Sequence, residues 1–132
     1  MPKSFLSSIL LSLMAVLLVS GCASNNDKQK TINLVAEQRA SILSAGLPIE
    51  YGPLNIMRAN AKEGIVEILM IFNADDAPQS SKQLMSHAVD YYCSSKEVKG
   101  NMEIGVKYRL MLRNPRGQLL IDQMVTKDTC KA

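Results

Sequence analysis

The sequence predicts an α+β domain, an antiparallel sheet of four to five strands with helices packed on one face. Apolar residues recur at helical spacing over residues 31–45 and 80–94. They alternate with polar residues over residues 106–113, as expected of a half-buried strand. Each helical segment is followed by a pair of strand segments, so the expected order is helix, hairpin, helix, hairpin.

The start of the chain has the pattern of a secretory signal peptide. Lys3 precedes an apolar run over residues 5–19, which is shorter than the roughly 18 residues that a membrane-spanning helix normally needs. The run ends in Val-Ser-Gly-Cys at residues 19–22, which fits the lipobox of bacterial lipoproteins. We therefore predict that residues 1–21 are removed and that Cys22 is acylated. An ordinary secretory signal with a chance cysteine is the alternative.

The residues from Cys22 onward predict where the protein is held. One lipid chain anchors only marginally, at about 0.8 kcal/mol per buried CH₂, so two or three chains on Cys22 would give a stable anchor. By analogy with lipoprotein sorting rules, an aspartate after the cysteine would favour the inner membrane. Ala23 stands there instead, so the outer membrane, facing the periplasm, is expected. Residues 22–30 are a polar tether, and residues 31–132 form one small domain.

The charge of the chain argues against nucleic acid as a partner. Lysine and arginine number 15 against 12 aspartates and glutamates, a formal net charge of +3. Removal of Lys3 with the signal lowers this surplus, and no basic run remains. Nucleic-acid binding is therefore not expected.

The first predicted helix covers residues 31–45. Arg39 interrupts its apolar stripe, and Gly46 and Pro48 follow in the order typical of a helix C-terminus. Strands are predicted over residues 54–59 and 65–72, joined by a hairpin loop at residues 60–64. Apart from Glu67, the second strand is apolar on both faces, which predicts a central or covered position.

The second predicted helix begins at Ser80, which forms a capping-box pattern with Gln83, and runs to about Ser94. Residues 96–104 fit either a short helix or an irregular segment. A strand over residues 106–113, a turn at 114–117 and a strand over 118–126 complete a second hairpin.

Two cysteines, Cys93 and Cys130, remain once Cys22 is acylated. An even pair in an oxidising periplasm predicts a disulfide. Closing a loop of about 37 residues stabilises a fold by roughly 4 kcal/mol in the chain-entropy picture. Two free buried thiols are the alternative. A metal site is not expected, because no second cysteine pair or nearby histidine completes it.

The sequence carries no recognisable catalytic set. His87 is the only histidine, and it lies on the second predicted helix. Neither a G-x-S-x-G elbow nor a phosphate-binding glycine loop occurs. Asp75 and Asp76 lack the spaced oxygen ligands of a calcium loop. We therefore predict a protein that is not an enzyme and that needs no metal and no cofactor, apart from the covalent lipid on Cys22.

Binding is the remaining role, and four residues are candidates for a partner surface: Met57, Arg109, Met111 and Arg113. Met111 lies on the polar side of its strand with the two arginines, and Met57 lies opposite its apolar neighbours. Methionine is polarizable and adaptable, and surfaces that receive helices use it. Alternatively, the methionines pack under a helix or at a sheet edge, and the basic row is a solvated strand face.

An ordered set of short motifs runs through nearly the whole mature chain. It comprises the lipobox and its continuation to residue 24, Leu-Pro-Ile at 47–49, Tyr-Cys at 92–93, Gly-Val-Lys-Tyr at 105–108 and Asp-Thr-Cys at 128–130. This set resembles the small pilotin lipoproteins of type II secretion systems, of the AspS (GspS-beta) kind.

The resemblance implies a function. The acylated protein would bind the C-terminal segment of a secretin subunit, which folds as an amphipathic helix in a groove. Lipoprotein sorting machinery would then carry the pair to the outer membrane, where secretin multimers form. The resemblance does not place the groove.

Two other functions remain open. Size, anchor and disulfide also fit a lipoprotein inhibitor of a periplasmic hydrolase such as lysozyme, although such inhibitors are usually all-β and two helices are predicted here. The third possibility is an accessory lipoprotein of another envelope machine.

Overall fold

A computed structural model describes residues 24–131 of the chain. The predicted signal peptide and the acylation site at Cys22 lie outside these residues. Within these, residues 31–131 belong to one compact unit. The elements in order are α1 (Ser24–Ala45), β1 (Ile49–Tyr51), β2 (Leu54–Lys62), β3 (Ile65–Phe72), α2 (Ser81–Ser94), α3 (Lys96–Ile104), β4 (Lys107–Arg113) and β5 (Leu119–Val125).

The helices follow the sequence prediction except at the start of α1. This helix begins at Ser24, so the predicted start at residue 31 was wrong. Residues 25–30 are polar and exposed, so this part of the helix has no apolar stripe from which it could be predicted. A helix rises about 1.5 Å per residue against about 3.5 Å for an extended chain, so residues 24–30 reach less far than an extended tether.

The second helical region contains two helices separated by one residue. Ser80 caps α2, and its hydroxyl and the Gln83 side chain form the predicted capping box. Ser95 ends α2 and also caps α3, where its hydroxyl accepts a hydrogen bond from the amide of Val98. The open question over residues 96–104 is thus answered: they form a helix.

The five strands form one sheet in the order β1-β2-β3-β4-β5. The predicted α+β class, strand number and element order are confirmed, and β3 is central as predicted. The pairing of β3 with β4 is parallel, and this corrects the expectation of a wholly antiparallel sheet. The two strands are joined through α2 and α3, and a helical crossover returns the chain to the end where β3 began.

Strand β2 is longer than predicted, and β1 was not predicted at all. β2 continues to Lys62, and the turn into β3 is made by Glu63 and Gly64, with φ values of +51° and +78°. Two successive residues at positive φ are typical of a tight two-residue hairpin. β1 has only three residues, too few for alternation to be recognised.

One face of the sheet, which we call the core face, packs against the helices. The buried core joins strand residues such as Phe72, Tyr108 and Leu112 to Ala36 of α1 and Met85 of α2. We call the opposite side the open face. There β3 and β4 place side chains in register, all half-buried except the exposed Lys107: Ile65 beside Lys107, Glu67 beside Arg109, Leu69 beside Met111 and Ile71 beside Arg113.

A disulfide joins the end of α2 to the end of the chain. Cys93 and Cys130 are bonded, with their Cα atoms 5.3 Å apart. Both side chains pack against the core.

Candidate functional site

An apolar groove opens between α1 and the α2–α3 pair, over the core face near β1 and β2. Its volume is about 520 Å³, within the range of about 300–1,000 Å³ typical of ligand pockets. All but three of its lining side chains are apolar or aromatic. The lining residues are Arg39, Leu43, Leu47, Ile49, Tyr51, Leu54, Ile56, Ala59, Ile68, Met70, Ala88, Tyr91, Tyr92, Ser95, Glu97, Val98 and Leu110.

The α1 wall of the groove is held on the sheet by small residues and one hydrogen bond. Ala36 and Ala40 are buried, and their small side chains let the helix approach the strands closely. Near the end of α1, the Ser44 hydroxyl donates to the carbonyl of Ala59 in β2 at 2.6 Å. These contacts fix the position of Leu43, which lines the groove from α1.

The opposite wall carries two adjacent tyrosines at the end of α2. The Tyr92 ring meets the buried Tyr108 ring edge-on, with centroids 5.2 Å apart. The Tyr108 hydroxyl in turn accepts a 2.9 Å hydrogen bond from Asn101. Tyr91 is 71% exposed, an unusual degree for a large aromatic side chain. An exposed tyrosine beside a fixed one gives a protein partner a broad and rigid apolar contact.

Arg39 is the one basic side chain in the groove. Only 17% of it is exposed, and its Nη1 donates to the Glu97 carboxylate at 2.7 Å. The Nε of Arg39 is buried and has no acceptor among residues 24–131. The polar residue that interrupted the stripe of the first helix therefore lies in an otherwise apolar wall.

Tyr92, in the opposite wall, adds a neutral donor to the groove. Burial raises the pKa of its phenol above the usual range, and the neighbouring Tyr108 contributes. The phenol therefore stays protonated at physiological pH.

The four residues predicted from sequence as a partner surface do not line this groove. Arg109, Met111 and Arg113 lie on the open face of β4, in register with β3. Met57 is 39% exposed and sits at an irregularity of β2, where the pairing with β3 shifts. The structure thus places three of the four together, on the side of the sheet away from the groove.

Arg109 is already engaged on the open face. Its Nε donates to Asp122 at 2.9 Å, and its Nη1 lies 3.3 Å from the Glu67 carboxylate. The Arg109 guanidinium lowers the pKa of the Asp122 carboxyl, chiefly through this hydrogen bonding. Arg113 donates to the carbonyl of Gly117 at 2.7 Å. The two arginines therefore have partners within the fold, which makes the face a poorer receptor for an anionic ligand.

A larger cleft of about 700 Å³ lies between α2 and β5. Its lining mixes the polar residues Ser81, Lys82, Ser86, Asp90, Gln123 and Thr129 with Met85, Val89 and Ile121. The cleft presents less apolar surface than the groove, so an apolar partner would gain less by binding there.

No metal or membrane-spanning feature was found in the described region. Over residues 24–131, no cluster of three or more His, Cys, Asp or Glu side chains is arranged to hold a metal ion. None of the helices described there combines the length and the apolar character needed to cross a membrane. His87 is exposed on α2.

The fold and its groove define a small α+β binding module. A sequence profile of the family described as type II secretion system (T2SS) pilotin, S protein, matches residues 28–130. No curated protein sequence matches the chain.

Solved structures give the same result. The chain is similar to the pilotin EpsS of the Vibrio vulnificus type 2 secretion system, at 45% identity and a TM-score of 0.76, covering 81% of this chain and 98% of that one. It is also similar to the type II secretion system pilotin AspS of Vibrio cholerae, at 43% identity and a TM-score of 0.75, covering 82% and 100%. A protein of Pseudomonas aeruginosa shares the fold alone, at 14% identity and a TM-score of 0.69, covering 83% and 99%.

The chain belongs to the pilotin family of the type II secretion system. The resemblance found in the sequence is therefore confirmed. Pilotins of this system are lipoproteins associated with the outer membrane, and membership implies interaction with a secretin. It also indicates an accessory role rather than an enzymatic one, and it favours this function over a hydrolase inhibitor or an accessory of another machine.

Sequence reasoning missed the groove because its residues come from seven elements. Leu43, Leu54 and Tyr92 appeared in the sequence as ordinary core positions. Only Arg39 was visible as an exception, since it broke an apolar stripe. That signal pointed to the wall of the groove, but periodicity alone does not show which strands and helices face each other.

Proposed function

We propose that this pilotin binds the C-terminal segment of a secretin subunit in the groove between α1 and α2–α3. The observation that carries the proposal is the groove itself: a mostly apolar surface with an exposed tyrosine, on an otherwise well-packed domain. An amphipathic helix lays its apolar side chains into such a groove. Burial of those side chains would drive association.

The lipid at Cys22 gives the complex its destination. The lipobox at residues 19–22 supports acylation, and Ala23 supports export to the outer membrane by the lipoprotein sorting machinery. The secretin segment travels with the anchored pilotin, and secretin multimers assemble where the lipid is inserted. No cofactor takes part apart from the covalent lipid.

The proposal is tested by titrating a peptide from the secretin encoded in the same genome. A labelled peptide of about 20 C-terminal residues, which spans about 30 Å as a helix, is added to the full-length protein in lipid nanodiscs, and anisotropy gives the Kd. We expect Tyr91→Ala to weaken binding about tenfold or more, because an exposed tyrosine in a groove is a typical binding hot spot. No binding at high micromolar concentration would contradict the proposal.

Matched variants distinguish the groove from the open face. Leu119→Ala removes another exposed apolar side chain that does not line the groove, and it should leave the Kd unchanged. Met111→Ala tests the surface predicted from sequence. If Met111→Ala weakens binding and Tyr91→Ala does not, the peptide binds the open face and the groove is the wrong site.

A further inference from the structure

A partner that covers the groove would separate the hydrogen-bond donors of Arg39 from water. An arginine side chain has five N–H donors in a rigid fork and no acceptor. In the free protein, one donor pairs with Glu97, Nε has no acceptor among residues 24–131, and the Glu97 side chain is 59% exposed. Water satisfies the accessible donors only while the groove is open.

Covering the groove removes water from the Arg39 donors that it now reaches, whereas Nε is buried already in the free protein. A buried donor without an acceptor costs about 1–3 kcal/mol, and more when it carries charge. The Tyr92 hydroxyl, in the opposite wall, also lines the groove. A purely apolar helix would bury both groups without supplying an acceptor.

The charges in the groove also favour one sign of ligand. Arg39 and Glu97 are its only charged side chains, and Glu97 is the more exposed of the two. An exposed ion pair contributes little and is readily rearranged. A carboxylate brought in by the partner and shielded from water by it would form a stronger, charge-assisted hydrogen bond with the guanidinium.

We infer that the groove selects a helical segment bearing an aspartate or glutamate side chain within its apolar face, and that this carboxylate binds Arg39 with the Tyr92 hydroxyl as a second donor. Arg39 is then a specificity residue: apolar contacts supply the bulk of the association, and the acidic residue sets which segment is accepted and in which register. This inference rests on the proposed function and adds the chemistry of the recognised segment.

The test is a double-mutant cycle between the groove and the peptide. Each acidic residue of the labelled secretin peptide is replaced singly by its amide, and every peptide is titrated against the full-length protein and against Arg39→Met. The methionine keeps an unbranched stem packed in the wall and removes the donors. We expect one replacement to weaken binding to the unmodified protein about tenfold and to Arg39→Met less than about twofold, the mark of a direct charged pair.

Two controls separate this contact from general electrostatics and from a chain terminus. Arg116→Gln removes one positive charge from the exposed β4–β5 turn, outside the groove, and should leave the cycle unchanged. A peptide with an amidated C-terminus should bind as the free acid does. If only amidation weakens binding, Arg39 reads the terminal carboxylate and the inference is wrong.

Two further binding results would also count against the inference. If the peptide binds but no acidic position is coupled to Arg39, the inference is overturned while the proposed function stands. Amide replacements made in the peptide need no variant of the protein, so a poorly folded Arg39→Met would still leave the acidic requirement measurable. If the unmodified peptide does not bind at all, the proposed function fails and this inference fails with it.

Discussion

Gly105 lies where α3 ends and the chain turns toward β4, with a φ of +121°. Its amide donates to the carbonyls of Asn101 and Met102, which closes the helix. A Cβ at this position would lie 2.8 Å from Cδ1 of Ile32 in α1. The backbone conformation therefore requires glycine, and a Cβ here would also make the Ile32 side chain shift.

Replacing this glycine is expected to destabilise the domain. Gly105→Ala should lower the free energy of unfolding by about 1–3 kcal/mol, since a non-glycine residue is strained at this φ and Ile32 must also shift. Urea denaturation measures the change through the midpoint at constant slope. Gly100→Ala is the matched control, because it lies inside α3 with open space around it and should raise stability by about 0.5–1 kcal/mol. Equal effects of the two substitutions would refute the argument.

At the scale of elements, helix α2 is fixed at both ends. Its start is closed by the capping box of Ser80 and Gln83, and its last turn is bonded through Cys93 to Cys130. The segment around Cys130 is therefore held against the same helix that carries the groove tyrosines.

Breaking this bond should loosen the domain substantially. The loop it closes has a sequence separation of 37, worth roughly 4 kcal/mol in the chain-entropy picture. For a domain of this size, Cys93→Ala combined with Cys130→Ala should lower the Tm by about 15 °C or more. Reducing agent should lower the Tm of the unmodified protein similarly and leave the double variant unaffected. An unchanged Tm, with both thiols open to alkylation before reduction, would contradict the bridge.

Some of the strands and helices could be predicted from the sequence pattern, and others could not. Strand β4 was predicted because its alternation reports burial on one face, and β3 because an almost wholly apolar run indicates a central or covered strand. The exposed first turns of α1 and the three-residue β1 were missed because they bury too little to leave a pattern. The parallel pairing of β3 and β4 was missed because it depends on how the crossover returns the chain, and no single residue reports that.

For the whole molecule, the groove and the open face lie on opposite sides of one sheet. Sequence reasoning found charged and methionine side chains on the open face, because a polar residue on a strand stands out. It did not find the groove, whose apolar residues look like core until α1 and α2 are seen to stand apart. The family, by contrast, was predicted from the sequence, through the Tyr92-Cys93 pair and the other short motifs.

Removing the lipid should separate binding from delivery. In Cys22→Ser the proposed acylation site is lost while every groove residue is retained, so the Kd for the secretin peptide should be unchanged within about twofold. Secretin multimers should no longer reach the outer membrane, as measured by membrane fractionation and immunoblotting of a cell that makes this variant alone. Normal multimers in that fraction would show that the lipid is dispensable.

The parallel pair at the centre of the sheet has a consequence for a chain that crosses a membrane as a thread. β1, β2 and β3 are sequential neighbours and can pair as soon as they emerge. The β3–β4 pairing must wait until residues 73–106 have followed, because such non-local contacts form late and slowly. Until then one edge of β3 is unpaired and only α1 is available to cover the core face, so a chain exported as a thread would need protection from aggregation during this interval.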